Sequence, residues 1–187
     1  MPPPAQLKTL DDLLAQAADY AEFCMRNSGR MPPTLFLIGP AGPLLFVPEN
    51  LAGDRDKDAF ATTARLLCLA HAATACVTAL EAWMKAARPD EKFDLTEPPS
   101  EAFDRQEVVV LTGEDRAGPK QKFLPIIRSG NGNFFGFNET EMPGMDKMTG
   151  RFAQILTPQM PDEKTQQLAQ TLLQVKGVKT VRLGGAA

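Results

Sequence analysis

The chain is poor in the side chains on which most enzyme active sites depend. Its 187 residues include one histidine, one tryptophan, one tyrosine and three cysteines. None of its three serines lies in a Gly-x-Ser-x-Gly motif, and a single histidine makes a serine–histidine–aspartate triad improbable. It also lacks a phosphate loop, a dinucleotide fingerprint, a kinase signature and a helical His-Glu-x-x-His motif. We therefore predict no cofactor and favour a function without catalysis.

The chain also lacks signals for export or membrane insertion. The N-terminus has neither a basic segment nor an apolar core of the kind that a signal peptide needs. The odd number of cysteines then indicates a reducing compartment. The most apolar stretch, residues 66–80, is short of the roughly 20 residues that span a bilayer. We expect a soluble, cytoplasmic protein without a membrane partner.

The balance of charge is acidic overall but uneven along the chain. The net charge of −3 disfavours nucleic acid as a partner, because phosphate binding needs clustered lysine and arginine. Residues 116–138 nevertheless contain four cations and no acid: Arg116, Lys120, Lys122 and Arg128. Strand alternation places Phe135 and Phe137 on one face beside them and Phe134 on the other. Aromatic rings beside a basic groove leave weak nucleic-acid binding as an alternative function.

The N-terminal half predicts a helix, a hairpin and a second, long helix. Apolar residues at helical spacing indicate a helix over about 10–26. Two short apolar runs at 34–38 and 44–47, separated by glycine and proline, are typical of a hairpin. Residues 57–87 are predicted to be helical, with bulky apolar residues on one side and small uncharged ones on the other. We expect this long central helix to be buried on both sides.

The C-terminal half predicts an antiparallel meander and then a strand–helix–strand unit. The meander strands are 107–112, 121–128 and 133–137, with Asn131–Gly132 as a hairpin turn. Pro125 confines the second strand to an edge or a bulge. The last unit comprises a strand at 152–156, a helix at 161–174 and a strand at 178–183.

These elements together predict one α+β domain spanning residues 1–187. Its mainly antiparallel sheet, a hairpin plus a three-stranded meander, is packed by the long buried central helix and by flanking N- and C-terminal helices. Residues 1–8 are expected to form a loose N-terminus. Residues 88–106, which are charged and rich in proline, are expected to form a long loop.

The weak candidates for catalysis are two pairs of side chains. Cys68 and His71 are three residues apart on the predicted helix, so their side chains could meet. A metal site that added Cys76 would need ligands spread over roughly 140° of one helix, so we predict no metal site. Glu114 and Asp115 lie in a predicted hairpin turn, where paired carboxylates could bind a divalent cation or act as acid and base.

Interaction with protein is the function that the sequence favours. Three methionines, Met142, Met145 and Met148, lie in one loop and could form an adaptable contact surface. With the uncharged helix face they predict a non-enzymatic binding domain, self-associating through the long helix or a sheet edge. The alternatives are a small hydrolase or metal-assisted enzyme using Glu114 and Asp115, and the nucleic-acid binder described above. The sequence does not decide whether a small molecule binds.

Overall fold

The computed structural model describes residues 7–85, 105–138 and 150–183, and these ranges contain three helices and one seven-stranded antiparallel sheet. The helices are α1 (Leu10–Ser28), α2 (Asp54–Ala70) and α3 (Glu163–Val175). The strands are β1 (Thr34–Gly39), β2 (Gly42–Phe46), β3 (Ala75–Lys85), β4 (Arg105–Asp115), β5 (Gly118–Arg128), β6 (Phe134–Phe137) and β7 (Val181–Arg182). Their order across the sheet is β6-β5-β4-β3-β1-β2-β7. The α+β class predicted from the sequence is confirmed.

Helix α1 covers one face of the sheet. A capping box starts it, because the Thr9 hydroxyl accepts from the Asp12 N–H while the Asp12 carboxylate accepts from the Thr9 N–H. Gly29, with φ +72°, ends it at the predicted position. Its buried side chains pack on alternate residues of the strands, such as Phe36 and Ile38 of β1, to form the first core cluster.

The second core cluster lies on the other face of the sheet. It contains the intervening β1 residues Leu35 and Leu37, buried side chains of α2, and Ala169 and Leu173 of α3. Helix α1 and the pair formed by α2 and α3 therefore lie on opposite faces of one sheet, because successive strand residues point to opposite faces.

The prediction of one helix over 57–87 is wrong. Helix α2 ends at Ala70, and the following residues form β3, which lies between β1 and β4 at the centre of the sheet. Both faces of β3 are covered, with Cys76 in the second cluster and Val77 in the first. The unbroken apolar run that suggested a helix belongs to a central strand. Such a strand shows no alternation of polar and apolar residues.

A turn without glycine or proline separates α2 from β3. Ala72 has φ +45°, its N–H donates to the Leu69 carbonyl, and the Ala73 N–H donates to the Cys68 carbonyl. This is the Schellman pattern that ends many helices, with alanine at the left-handed position that glycine usually takes. No glycine in the sequence therefore marks the end of α2. The turn is tied to the β1 hairpin by the Thr74 N–H, which donates to the Ile38 carbonyl at 2.8 Å.

The predicted hairpin and meander are both confirmed, with tighter turns than expected. Gly39 pairs with Gly42, so Pro40 and Ala41 alone form the first turn. In the meander β4 pairs with β5 as far as Asp115 and Gly118, which leaves a two-residue turn at Arg116–Ala117.

A bulge changes which phenylalanines of β6 share a face. The register shifts between Ile127 and Arg128, and Phe135 is left without a paired residue on β5. The extra residue breaks the period of two. Phe134 and Phe137 therefore meet edge to face at 5.0 Å on the α1 side, while Phe135 is 70% exposed. The prediction that Phe135 and Phe137 share a face is wrong for this reason.

The C-terminal region differs in part from the predicted strand–helix–strand unit. Residues 152–156 form turns and bends instead of a strand. Helix α3 agrees with its prediction, with Asp162 as the N-cap and Gly177, at φ +67°, just beyond its end. The last strand is shorter than predicted and pairs only Val181 and Arg182 with β2. None of the helices in the described ranges is long and apolar enough to cross a membrane.

Candidate functional site

Helix α3 is fixed against α2 by one side and leaves the other side open. The Asp162 carboxylate accepts from the Thr165 N–H at 2.7 Å and so caps the first turn. Ala169 and Leu173 are buried in the second core cluster. The Gln170 amide donates to the Ala70 carbonyl at the end of α2, at 3.1 Å. These contacts set the rotation of α3 about its axis.

The outward side of α3 carries a row of exposed apolar side chains. Leu168, Leu172 and Val175 are 61%, 41% and 83% exposed. Their spacing of four and then three residues places them along one face of the helix. We call these three residues the α3 stripe. Single exposed leucines are common on protein surfaces, whereas three apolar residues along one helix face make the α3 stripe a candidate contact surface.

The sequence from Leu168 to the end of the described residues carries only positive charge. Residues 168–183 contain three basic residues, Lys176, Lys179 and Arg182, and no acidic one. Within the described ranges none of the three forms an ion pair with a carboxylate. On a protein with a net charge of −3, this end of the chain is a local cationic and apolar surface.

Helix α1 presents the opposite charge on its outward side. Asp12, Asp19 and Phe23 lie away from the buried face of α1, and Phe23 is 63% exposed. Glu22 and Arg26 pair beside them at 2.6 Å. We call the exposed residues Asp12, Asp19 and Phe23 the α1 face. It is an acidic surface with one aromatic ring at its C-terminal end.

Glu114 of β4 is buried and bound to backbone. It is 8% exposed, and its two carboxylate oxygens accept from the N–H groups of Ile155 and Leu156 at 3.1 and 3.0 Å. Asp115, the other predicted carboxylate, accepts from the N–H groups of Ala117 and Gly118 in the turn that follows it. The two carboxylates are adjacent in sequence but serve different parts of the backbone.

Two arginines complete the attachment of the irregular segment 150–160. The Arg65 guanidinium donates to the carbonyls of Arg151, Ala153 and Gln154, at 3.2 to 3.3 Å. Arg116 donates to the carbonyls of Thr157 and Pro158. This segment lacks its own ladder of hydrogen bonds, so side chains satisfy its polar backbone groups instead. Arg116, predicted as part of a basic segment, has this structural contact.

The three cysteines and the histidine are arranged differently from the prediction. Cys68 and Cys76 lie on different elements, and their thiols are in contact. That hydrogen bond, with burial, raises the pKa of the Cys76 thiol well above its usual value. All three cysteines are free and buried. Burial and the nearby charge of Arg182 lower the pKa of His71, and no hydrogen bond joins it to Cys68 in the described ranges.

The predicted basic residues lie on β5, and two of the three are paired. Lys120 contacts the Asp11 carboxylate of α1 at 2.7 Å, which raises the pKa of Lys120. Arg128 contacts Glu107 of β4. Lys122 remains exposed beside them. Met142, Met145 and Met148 lie outside the described residues.

The α3 stripe is a candidate contact surface that the sequence analysis did not predict. The sequence contained a sign of this exposed row. Apolar residues at 169 and 173 are enough for the buried face of α3, and those at 168, 172 and 175 form a second apolar face. The described residues contain no group of three or more histidine, cysteine or acidic side chains placed to hold a metal ion. Comparisons with family models, with curated proteins and with solved structures found no match to this chain.

Proposed function

We propose that this protein is a non-enzymatic interaction domain whose copies associate head to tail, with the α3 stripe of one copy against the α1 face of the next. The observation that carries the proposal is the α3 stripe, an exposed apolar row in a part of the sequence whose charged residues are all basic. Burying such a row removes apolar area from water, which is the main favourable contribution to association.

Charge complementarity favours a second copy as the partner. The sequence that follows Leu168 is cationic, and the α1 face offers Asp12 and Asp19, with the exposed ring of Phe23 one turn beyond Asp19. Apolar centres with opposite charges at their rims are the usual arrangement of specific interfaces. The two surfaces lie on opposite sides of the sheet, so they can meet only between different copies.

Contact between two different surfaces produces rings or open chains, not closed two-fold dimers. The enzyme alternative would use Glu114 and Asp115, and both carboxylates already accept backbone hydrogen bonds. This favours the interaction proposal over the enzyme alternative. The interface is small and partly electrostatic, so we expect it to weaken as salt is added.

The test uses two variants that each remove one surface. Leu172→Glu places a negative charge in the α3 stripe, and Phe23→Lys places a positive charge in the α1 face. Each variant alone should be monomeric in sedimentation velocity, because one of the two surfaces is missing. An equimolar mixture should form a discrete heterodimer through the two intact surfaces.

The matched controls make the same charge changes elsewhere. Gln167→Glu adds a negative charge on α3 away from the stripe, and Val47→Lys adds a positive charge at another exposed apolar residue. Both controls should assemble like the unmodified protein. The proposal is wrong if the unmodified protein stays monomeric up to about 1 mM, the weakest useful affinity, or if the mixture of the two variants does not assemble.

A further inference from the structure

The single histidine lies at a pocket that the proposed self-association does not use. The pocket has a volume of about 170 Å³ and lies between the end of α2, one flank of α3 and the segment before β7. Gln170 and Gln174 of α3 border it, on a different side of that helix from Leu168 and Leu172. A ligand here and a partner at the α3 stripe are therefore independent of each other.

The lining combines an apolar wall with neutral polar groups. Leu67, Leu173 and Val178 contribute apolar side chains to the lining, and His71 and Thr180 contribute polar ones. In the described part of the chain the His71 ring accepts or donates no hydrogen bond, and the same holds for the Thr180 hydroxyl. These groups keep their hydrogen-bonding capacity for a ligand.

The size and charge of the pocket restrict what it can hold. The pocket is open to solvent, and its volume is close to that of a cavity of about 150 Å³ that accommodates benzene, so one six-membered ring with a small substituent fits it in size. No residue of the lining carries a formal charge. A charged ligand would therefore lose hydration without meeting an opposite charge in the lining.

We propose that this pocket binds a small, neutral, planar molecule that both donates and accepts hydrogen bonds, such as an aromatic amide. The apolar wall packs against the ring, and His71 and Thr180 meet its polar group. Gln174, on the last turn of α3, supplies a further amide at the edge of the pocket. Pockets that bind small molecules have this combination of apolar walls and few polar groups.

The experiment follows the imidazole signals of His71 by proton NMR, and they need no assignment because the chain has one histidine. The probes are benzamide, benzoate and benzylamine, which share one ring and differ in charge. Benzamide should shift the His71 signals with saturation at about 1–10 mM, the range expected for a ligand of this size. Benzoate and benzylamine should need at least tenfold more.

The test variant, Thr180→Phe, adds a ring at an exposed residue of the pocket lining. Thr180 is exposed, so Thr180→Phe should keep the fold and abolish the benzamide shift. The indole signal of Trp83, the single tryptophan, should not move in either protein. The proposal is overturned if benzamide causes no saturable shift, if Thr180→Phe responds equally, or if a charged probe binds as well. None of these outcomes bears on assembly through the α3 stripe, which Leu172→Glu tests.

Discussion

At the level of single residues, the buried carboxylate of Glu114 links strand β4 to the segment around Ile155. Its carboxylate is nearly inaccessible, and both oxygens accept backbone N–H groups from a segment more than 40 positions later in the sequence. A carboxylate with this arrangement holds two chain segments together. The sequence predicts Glu114 in a hairpin turn beside a strong strand, so neither its burial nor its backbone partners could be predicted.

Replacing Glu114 by alanine should destabilise the fold. Two buried N–H groups lose their acceptor, and each unsatisfied buried donor costs about 1–3 kcal/mol. We expect Glu114→Ala to lower the free energy of unfolding by about 3 kcal/mol in urea titrations. Glu114→Gln keeps one acceptor oxygen and should lose less. Glu49→Ala, at an exposed glutamate, is the matched control and should change stability by less than about 0.5 kcal/mol. Equal effects of Glu114→Ala and Glu49→Ala would refute this role.

His71 should make the stability of the protein depend on pH. Its pKa is lowered in the folded state, first by burial and second by Arg182, so the unfolded chain binds a proton more readily. This contribution to stability is complete above the unfolded pKa of about 6.5 and is lost as the pH falls below it. Unfolding in urea at a series of pH values should show a steeper decline for the unmodified protein than for His71→Asn, in which no imidazole titrates. Parallel profiles would contradict the prediction.

At the level of elements, the bulge in β6 decides which ring supports the fold. Phe137 packs with Phe134 against the α1 core, whereas Phe135 points to solvent. Phe137→Ala should therefore lower the free energy of unfolding by about 2 kcal/mol, somewhat less than a fully buried phenylalanine would cost. Phe135→Ala should change it by less than about 0.5 kcal/mol. Thermal unfolding of the two variants provides the comparison, and a larger loss for Phe135→Ala would mean that the bulge is misplaced.

The end of α2 shows why one element could not be predicted. Alanine and leucine favour a helix through residues 66–80, and the Schellman turn at Ala72 has no glycine to announce it. Helix α3, by contrast, has Asp162 as its N-cap and Gly177 just beyond its end, and its bounds agree closely with the predicted 161–174. The sequence predicts the end of a helix where a capping residue marks it. It does not predict an end, such as that of α2, that has no glycine or proline to mark it.

At the level of the whole molecule, association should appear as a concentration-dependent melting temperature. Partners that bind only the folded state stabilise it by mass action, so the melting temperature should rise with protein concentration. For a chain of this size the rise is about 2–4 °C for each kcal/mol gained. Leu172→Glu should melt at one temperature at all concentrations, while Gln167→Glu should behave like the unmodified protein. A melting temperature independent of concentration for the unmodified protein would argue against the proposed assembly.

The sequence by itself determined the α+β class, helices α1 and α3, the first hairpin and the meander, because each has local caps, turns or periodic apolar residues. Only the tertiary structure decided that residues 75–85 form the central strand, since a strand covered on both faces has no alternating pattern. It also decided that Cys68 meets Cys76 and that Glu114 reaches Ile155. These pairs are set by how elements pack across the sheet, and such long-range contacts leave no periodic signal along the chain.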